Sequence, residues 1–263
     1  QVLKTLDVDS TALGFAGGFP GKFISKTLEE SKIHTDFIEV DEDTRINVKL
    51  KSGQETEINA PGPKVTQEQF QALITQIKNT TSEDTVIVAG SVPNSIPSDA
   101  YAQIAEITKN TGAKLVVDAE KDLVDTVLPY RPLFIKPNKD ELEVMFNTTV
   151  SSDHDVVKYG KEILKKGAQS VIISLGGDGA IYVDEHQSIK AENPQGKVIN
   201  TVGSGDSTVA GMVAGLESGL SIQDAFKQAV ASGTATAFEE DLATRDAIEK
   251  IKSQVTVSVL DGE

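Results

Sequence analysis

The segment Asn200–Ser207 (NTVGSGDS) constrains this chain more than any other. Gly203 and Gly205 allow a tight turn in which successive backbone N–H groups point toward one spot. The residues that follow predict a helix, whose positive dipole end would favour an anion such as a terminal phosphate at that spot. Asp206 would lie beside the anion as a carboxylate that accepts a proton, as phosphoryl transfer to an alcohol requires. A first-turn aspartate that only caps a helix also fits these residues.

The charge and composition of the chain exclude several classes of protein. Its 263 residues suit one large domain, or one with a small appendage, and the net charge is −15. Such a surface repels nucleic acid and anionic membranes, so we expect neither as a partner. Because the chain has no cysteine, disulfides and thiolate metal sites are excluded, and the expected location is the reducing cytoplasm. The histidines are too scattered in the sequence to indicate a metal cluster.

The sequence predicts a small antiparallel sheet inserted into a larger unit. Three short strands are predicted, at Asp36–Val40, Thr44–Lys51 and Glu55–Asn59. A turn at Ser52–Gly53 would join the last two strands. Polar and apolar residues alternate strictly from Arg45 to Leu50, which indicates a sheet with one buried face. We therefore divide the chain into a core of residues 1–35 and 61–263 and a small sheet of residues 36–60.

From Thr66 onward, short runs of β-branched residues alternate with helical patterns. This order is typical of a mostly parallel sheet with helices on both faces. In such sheets, ligands bind outside the carboxyl ends of the strands. The segments that directly follow predicted strands are Gly90–Ser91, Asp118, Asn138, Ser174 and the Gly203 loop. These segments are expected to meet at one edge of the sheet. Their convergence there favours a site for phosphoryl transfer over an Asp206 that only caps a helix.

Two better-known nucleotide motifs do not fit the glycines near the start of the chain. A P-loop requires two glycines five positions apart, followed by lysine and a hydroxyl residue. Ala16 and Phe23 occupy the first and last of those positions. The dinucleotide-binding fingerprint G-x-G-x-x-G is not matched either, because Gly14, Gly17 and Gly18 do not have its spacing. We interpret these glycines as a turn that borders the site.

Three motifs together resemble those of the ribokinase-like sugar kinases, often called the PfkB family. Asn200–Val213 is similar to the C-terminal signature of that family, Lys136–Glu141 to its N-x-x-E motif, and Ser174–Gly179 to its nucleotide loop. The similarity runs along the whole chain. It implies a ribokinase-like three-layer α/β sandwich with a mostly parallel sheet and a small antiparallel β lid.

The resemblance implies a kinase that transfers the γ-phosphoryl group of ATP to the 6-hydroxyl of fructose 1-phosphate. Asp206 would act as the base. The hole for the γ-phosphoryl anion would be formed by Gly203, Ser204 and Gly205. A tagatose-6-phosphate kinase and a sugar-phosphate-binding protein without catalysis stay open as alternatives.

The resemblance also implies the residues that bind the metal and the nucleotide. Asn138 and Glu141 would act on Mg²⁺ and the phosphates through water. They are three residues apart, so one helical turn would place them on one side, although an asparagine cap with a first-turn glutamate also fits. The residues that would line ATP are Lys136, Asn138, Ser174, Gly176, Gly179, Ser232 and Gly233.

By the same resemblance, the sugar phosphate would bind to Arg45, Asn47, Lys49, Gly90 and Ser91. The first three would share one face of the predicted strand because side chains alternate, and two cations there suit a phosphorylated sugar. A solvated strand face is the alternative. Lids of this family often pair between subunits, so the resemblance implies a homodimer formed through the lid.

One part of the family pattern is missing from this chain. Such kinases begin with a strand that carries a substrate-binding aspartate, followed by a glycine-rich loop, whereas Gln1–Leu6 fits the end of the helix after that loop. The missing strand would be central to the sheet. We therefore expect exposed apolar edges, and little or no phosphorylation of fructose 1-phosphate by this chain alone.

Overall fold

The computed structural model describes residues 1–52 and 54–260, with the side chains of 49–52 and 54–57 excepted. The predicted turn residue Gly53 and the side chain of Lys49 therefore lie outside the described residues.

The helices are α1 (Val2–Thr5), α2 (Gly18–Glu30), α3 (Gln67–Lys78), α4 (Ala100–Thr111), α5 (Lys121–Val127), α6 (Lys139–Phe146), α7 (Asp153–Lys166), α8 (Ser204–Glu217), α9 (Ile222–Ala237) and α10 (Arg245–Lys252). The strands are β1 (Thr11–Ala16), β2 (His34–Glu39), β3 (Val48–Ser52), β4 (Gln54–Ile58), β5 (Thr85–Ala89), β6 (Lys114–Asp118), β7 (Phe134–Ile135), β8 (Ser170–Ser174), β9 (Ala180–Asp184), β10 (Ser188–Glu192) and β11 (Thr256–Val259). None of the helices in the described part of the chain combines the length and the apolar character needed to cross a bilayer.

The central sheet has seven strands in the order β11-β10-β9-β8-β7-β6-β5. Strands β5 to β8 run parallel, and β9 to β11 continue the sheet as antiparallel neighbours. Val171, Ile172 and Ile173 of β8 are fully buried because helices cover both faces of the sheet. Apolar residues of α8, α9 and α10 pack on one face, and those of α4, α5, α6 and α7 pack on the other. The predicted α/β fold with a mostly parallel sheet is confirmed.

Strands β1 and β2 form a separate parallel pair in which Leu13 lies opposite Asp36. A strand at Asp36–Val40 was predicted correctly, but its assignment to the small antiparallel sheet is wrong. Helix α2 carries the chain from the end of β1 back to the start of β2, and such a crossover makes the two strands parallel. The second strand therefore pairs with β1 and not with the predicted small sheet.

Strands β1 and β5 each have one hydrogen-bonded neighbour within the described residues. Leu13 and Phe15 of β1 and Val86 and Val88 of β5 pack against one apolar cluster, which includes Phe70 of α3. All four strand side chains remain partly exposed. Apolar strands, which are normally buried between neighbours, thus lie at an edge of the central sheet (β5) and at an edge of the parallel pair (β1).

In the predicted small sheet, β3 and β4 form a hairpin and pair antiparallel. The predicted strand starts too early, because Thr44 is bonded to the turn before α2. Its N–H donates to the Gly17 carbonyl at 3.0 Å, and its hydroxyl accepts the Gly17 N–H at 3.0 Å. Arg45 and Asn47 therefore precede β3 as irregular backbone, so the prediction that they share a strand face with Lys49 is wrong.

Helices α8 and α9 approach each other closely at glycines. A Cβ atom added to Gly211 would lie 2.8 Å from the Cα of Ala229, and one added to Gly215 would lie 2.7 Å from the Cα of Ala225. Non-bonded carbon atoms do not approach so closely, so this spacing between the helices requires glycine. The contact fixes the position of α8, the helix that carries Asp206.

We expect the Gly211→Ala substitution to lower the free energy of unfolding by about 1–3 kcal/mol, because the added methyl group collides with the backbone of α9. Urea unfolding measures the difference. The matched control is Gly177→Ala, where no atom lies within 4 Å of an added Cβ; its effect should stay within about 0.5 kcal/mol. Equal stability of Gly211→Ala and wild type would contradict the close packing of the helices.

Candidate active site

Helix α8 begins without a side-chain cap in the described part of the chain. Its N-cap residue is Gly203, whose φ of 79° lies in the left-handed region that glycine adopts without strain. The N–H of Ser204, predicted to contribute to the anion hole, donates instead to the carbonyl of Thr201 at 3.2 Å. Among the described residues, this leaves the amides of Gly205 and Asp206 as the open donors of the first turn. Two amides and the positive end of the helix dipole are thus available to an anion.

Asp206 is the third residue of α8, and its side chain is exposed. It lines a cavity of about 230 Å³ together with Ile87 and Ala89 of β5 and with Val2 and Leu3 of α1. Asp206 takes part in none of the ion pairs found among the described residues. A carboxylate that borders a cavity at a strand end and has no cationic partner can accept a proton from a ligand there.

Lys136 and Asp118 form a mostly buried ion pair at the ends of neighbouring strands. Their Nζ and Oδ1 atoms are 3.2 Å apart, and their side chains are 8% and 19% exposed. Burial raises the pKa of the Asp118 carboxyl, the Lys136 ammonium opposes that rise, and the negative charges of Asp206 and Glu141 add to it. A Cβ atom added to Gly205 would lie 3.4 Å from the Lys136 Nζ. A cation therefore lies beside the open amides of α8.

Asn138 and Glu141 form a reciprocal capping box at the start of α6. The Oδ1 of Asn138 accepts the N–H of Glu141 at 2.8 Å, and the Oε2 of Glu141 accepts the N–H of Asn138 at 2.8 Å. The two side chains lie on one side of the turn because they cap the helix. The asparagine cap and the shared side of the helical turn, given above as alternatives, therefore occur together. Each side chain keeps acceptor capacity for a metal-bound water, because an amide or carboxylate oxygen accepts more than one hydrogen bond.

The predicted nucleotide loop follows β8 and contains a single 3₁₀ turn at Gly176–Asp178. Ser174 forms an isolated parallel bridge with Asn138, which joins the start of the loop to the start of α6. Gly176 and Gly179 have φ values of 61° and 92°, a conformation that favours glycine. A cavity of about 390 Å³ opens beside this loop and the end of β10.

Ser232 and Gly233 do not line an open nucleotide site, so that prediction is corrected. Ser232 is fully buried, and its hydroxyl donates to the carbonyl of Gln228 at 2.8 Å. Gly233 packs against α8, where its carbonyl accepts the hydroxyl of Ser204 at 2.7 Å. Both residues contribute to the packing of α9 against α8. This close packing leaves no room for a ligand between the two helices.

The residues predicted to bind sugar phosphate fall into two groups. Gly90 and Ser91 follow β5 and are exposed. The N–H of Gly90 donates to the Asp118 carbonyl at 3.3 Å, which places this turn at the strand ends near Lys136. Arg45 and Asn47 are also exposed, but they lie on the segment that leads into the lid. Among the described residues, no hydrogen bond or ion pair joins the side chains of Arg45 and Asn47 to the strand-end site.

The fold is that of a carbohydrate kinase. The profile of the pfkB family carbohydrate kinase matches residues 1–248, and the chain belongs to this family. The 1-phosphofructokinase of Bacillus subtilis (strain 168) is 43% identical over 260 residues, which cover 99% of this chain and 86% of that protein. The D-tagatose-1-phosphate kinase of Bacillus licheniformis is 37% identical over 260 residues, which cover 98% of this chain and 86% of that protein.

A solved structure from Staphylococcus aureus, provisionally assigned as a phosphofructokinase, superposes with a TM-score of 0.91. It is 80% identical and covers all of this chain, which in turn covers 86% of it. The resemblance to the PfkB family is confirmed, and this protein is a phosphotransferase of the sugar-kinase class, a class that uses ATP as co-substrate.

We expect the free energy of unfolding to depend on pH through Asp118. Its pKa is raised above the ordinary value of 3.8, so the folded protein binds this proton more tightly than the unfolded chain. The resulting stabilisation is present at low pH and is lost as the pH rises through the raised pKa. Urea unfolding at a series of pH values measures it, with Asp118→Asn as the non-titrating reference. The stability of wild type minus that of the variant should fall with rising pH, and a constant difference would contradict this assignment.

Proposed function

We propose that this protein transfers the γ-phosphoryl group of ATP to the 6-hydroxyl of fructose 1-phosphate, which yields fructose 1,6-bisphosphate. The observation that carries the proposal is the open first turn of α8, on which the Asp206 carboxylate is exposed and forms no ion pair with any described residue. An anion site next to a proton acceptor is what phosphoryl transfer to an alcohol needs. Family membership and the similarity to a 1-phosphofructokinase support the choice of reaction and of phosphosugar.

In the proposed reaction, the amides of Gly205 and Asp206 bind oxygens of the γ-phosphoryl group. The ammonium of Lys136 adds a positive charge beside them, and the dipole of α8 acts in the same direction. The sugar oxygen attacks the γ-phosphorus, the new O–P bond forms as the bond to the leaving ADP breaks, and Asp206 accepts the hydroxyl proton. The carboxylate is suited to this step because it is accessible and forms no ion pair among the described residues.

We propose that Mg²⁺ binds with the nucleotide near Asn138 and Glu141, through water. Mg²⁺ usually keeps several waters and binds to one or two carboxylates together with substrate phosphates. The capping box offers one carboxylate and one amide oxygen in fixed positions. The described residues contain no group of three or more His, Cys, Asp or Glu that could bind the ion alone. When bound, the ion would neutralise negative charge on the phosphates.

ATP would lie along the loop of Ser174, Gly176 and Gly179, with its terminal phosphates directed toward Lys136 and Asn138. Two observations support this course. A Cβ atom added to Gly176 would meet nothing within 4 Å, so the backbone is open to a close ligand. The bridge between Ser174 and Asn138 joins the loop to the phosphate end of the site.

We propose that the hairpin of β3 and β4, with the segment from Arg45 to Asn47, forms a lid over the sugar phosphate, while the remaining residues, β2 included, form the core. Arg45, Asn47 and Lys49 would contact the phosphate of the sugar, and Gly90 and Ser91 would lie beneath the sugar ring. Ile46, Val48 and Ile58 are exposed large apolar residues on the lid and the segment before it. Covering such residues supports a homodimer in which two lids pack together.

The choice of phosphosugar is tested by the kcat/KM for ATP-dependent phosphorylation of fructose 1-phosphate, tagatose 1-phosphate and tagatose 6-phosphate. Because little or no turnover is expected of this chain alone, the assays and the variants below use a form extended at its start by the first strand and glycine-rich loop of the family. Tagatose phosphates are the second candidates because a relative 37% identical is a D-tagatose-1-phosphate kinase. We expect the highest value for fructose 1-phosphate, and a preference for either tagatose phosphate would contradict this assignment. Binding of sugar phosphate with no consumption of ATP would favour a non-catalytic binding protein.

We expect Asp206→Asn to lower kcat by about 10²–10⁴-fold, because the amide cannot accept the hydroxyl proton. ATP binding, measured by calorimetry, should be largely retained. The matched control is Asp224→Asn, because Asp224 occupies the same third position in the first turn of α9 and loses the same charge. It should leave kcat unchanged, and normal turnover by Asp206→Asn would rule out its role as the base.

We expect Arg45→Ala to raise the KM for fructose 1-phosphate by about tenfold, because a charge-assisted hydrogen bond to the sugar phosphate is lost. The kcat and the KM for ATP should change little, since the proposed contact of Arg45 is with the sugar phosphate and not with the nucleotide. Lys26→Ala, which removes an exposed cation from α2, is the control for charge alone. A parallel change in both KM values would contradict a specific contact with the sugar phosphate.

A further inference from the structure

Asn193 connects the nucleotide loop to helix α9. Its Nδ2 donates to the carbonyl of Gly176 at 3.0 Å, and its Oδ1 accepts the hydroxyl of Thr234 at 2.7 Å. The residue directly follows β10, in the long segment that leads to α8. It belongs to none of the motifs that the sequence singles out.

The connection continues from α9 to the first turn of α8. The carbonyl of Gly233, next to Thr234 in the chain, accepts the hydroxyl of Ser204 at 2.7 Å, and Ser204 is the first residue of α8. The same turn carries the open amides and Asp206. Three side-chain hydrogen bonds thus connect the nucleotide loop, through α9, to the turn that would bind the γ-phosphoryl group.

Within the described residues, the start of the nucleotide loop is held by backbone hydrogen bonds of the loop itself, in which the carbonyl of Gly176 also accepts the N–H of Gly179 at 3.2 Å. A Cβ atom added to Gly176 or Gly177 would meet no atom within 4 Å, whereas one added to Gly179 would collide with the carbonyl of Ala191. The end of the loop is therefore packed against β10, and its start is open. Asn193 supplies a side-chain hydrogen bond at that open start.

We propose that Asn193 is a positioning residue for ATP, which holds the nucleotide loop at a fixed distance from the anion-binding turn of α8. The inference rests on the proposed kinase function and assigns a role to a residue outside the phosphoryl and sugar sites. Asparagine suits this position because one side chain must donate to a carbonyl and also accept from a hydroxyl. Phosphoryl transfer depends steeply on how the reacting groups are placed, so a loose loop slows it.

The test compares wild type with Asn193→Ala, Thr234→Val and the double variant. For each protein, kcat and KM are measured separately for ATP and for fructose 1-phosphate, and ATP binding without sugar is measured by calorimetry. The matched control is Thr126→Val, which removes a hydroxyl that donates to the Leu123 carbonyl at 2.6 Å in α5. Thermal unfolding of every variant shows whether a kinetic change is only a loss of folded protein.

We expect each single variant to lose about three- to tenfold in kcat/KM for ATP, the equivalent of one hydrogen bond. The KM for fructose 1-phosphate should stay near that of wild type. The double variant should be no worse than the poorer single variant, because both substitutions break the same connection. Thr126→Val should behave as wild type.

Unchanged kinetics for ATP in Asn193→Ala would overturn the inference, and so would effects that multiply in the double variant or that fall equally on both substrates. The calorimetry separates this inference from the proposed function. If the form that carries the family's first strand and glycine-rich loop binds ATP but phosphorylates no sugar phosphate, the proposed function fails, and weaker ATP binding by Asn193→Ala would still support the positioning role. A wild-type protein that does not bind ATP would overturn both.

Discussion

The open backbone amides at the start of α8 are the constraint on which the site depends. A helix leaves its first N–H groups without partners, and side chains cap α3, α6, α7, α9 and α10 in this protein. Helix α8 begins instead at a glycine in the left-handed conformation, with no side-chain cap among the described residues. Glycine contacts hold α8 against α9, so the rigid helical layer presents the uncapped turn to the strand ends.

The local electrostatics of the site oppose those of the whole protein. The chain carries a net charge of −15, which disfavours binding of a polyphosphate. At the strand ends, the Lys136 ammonium and the dipole of α8 supply positive potential where the γ-phosphoryl group would lie. Asp118 forms an ion pair with that lysine, and burial, with a smaller contribution from the carboxylates of Asp206 and Glu141, raises the pKa of Asp118. In the proposed site, the Lys136 cation would offset the charge of the nucleotide phosphates, while the Asp206 carboxylate would stay available to accept a proton.

Local sequence patterns predict the parts of this structure that local geometry determines. The glycines at 203 and 205 and the pair of Asn138 and Glu141 mark helix starts, because a cap involves residues only three or four apart. Strand direction is different: β2 has the pattern of a strand, but its parallel partner β1 is set by the crossover through α2.

The errors and omissions at the site have the same origin. Ser232 is polar yet fully buried, because its surroundings are determined by how α8 and α9 pack. Asp118 forms an ion pair with Lys136, and Asn193 forms hydrogen bonds with Gly176 and Thr234. Each of these partners is distant in the sequence. No local pattern marks such pairs.

A crystal structure with a non-hydrolysable ATP analogue and fructose 1-phosphate tests the central claim most directly. The terminal phosphate should lie within about 3 Å of the Gly205 amide, with the 6-hydroxyl within hydrogen-bond reach of Asp206. A terminal phosphate bound away from the first turn of α8 would contradict the account.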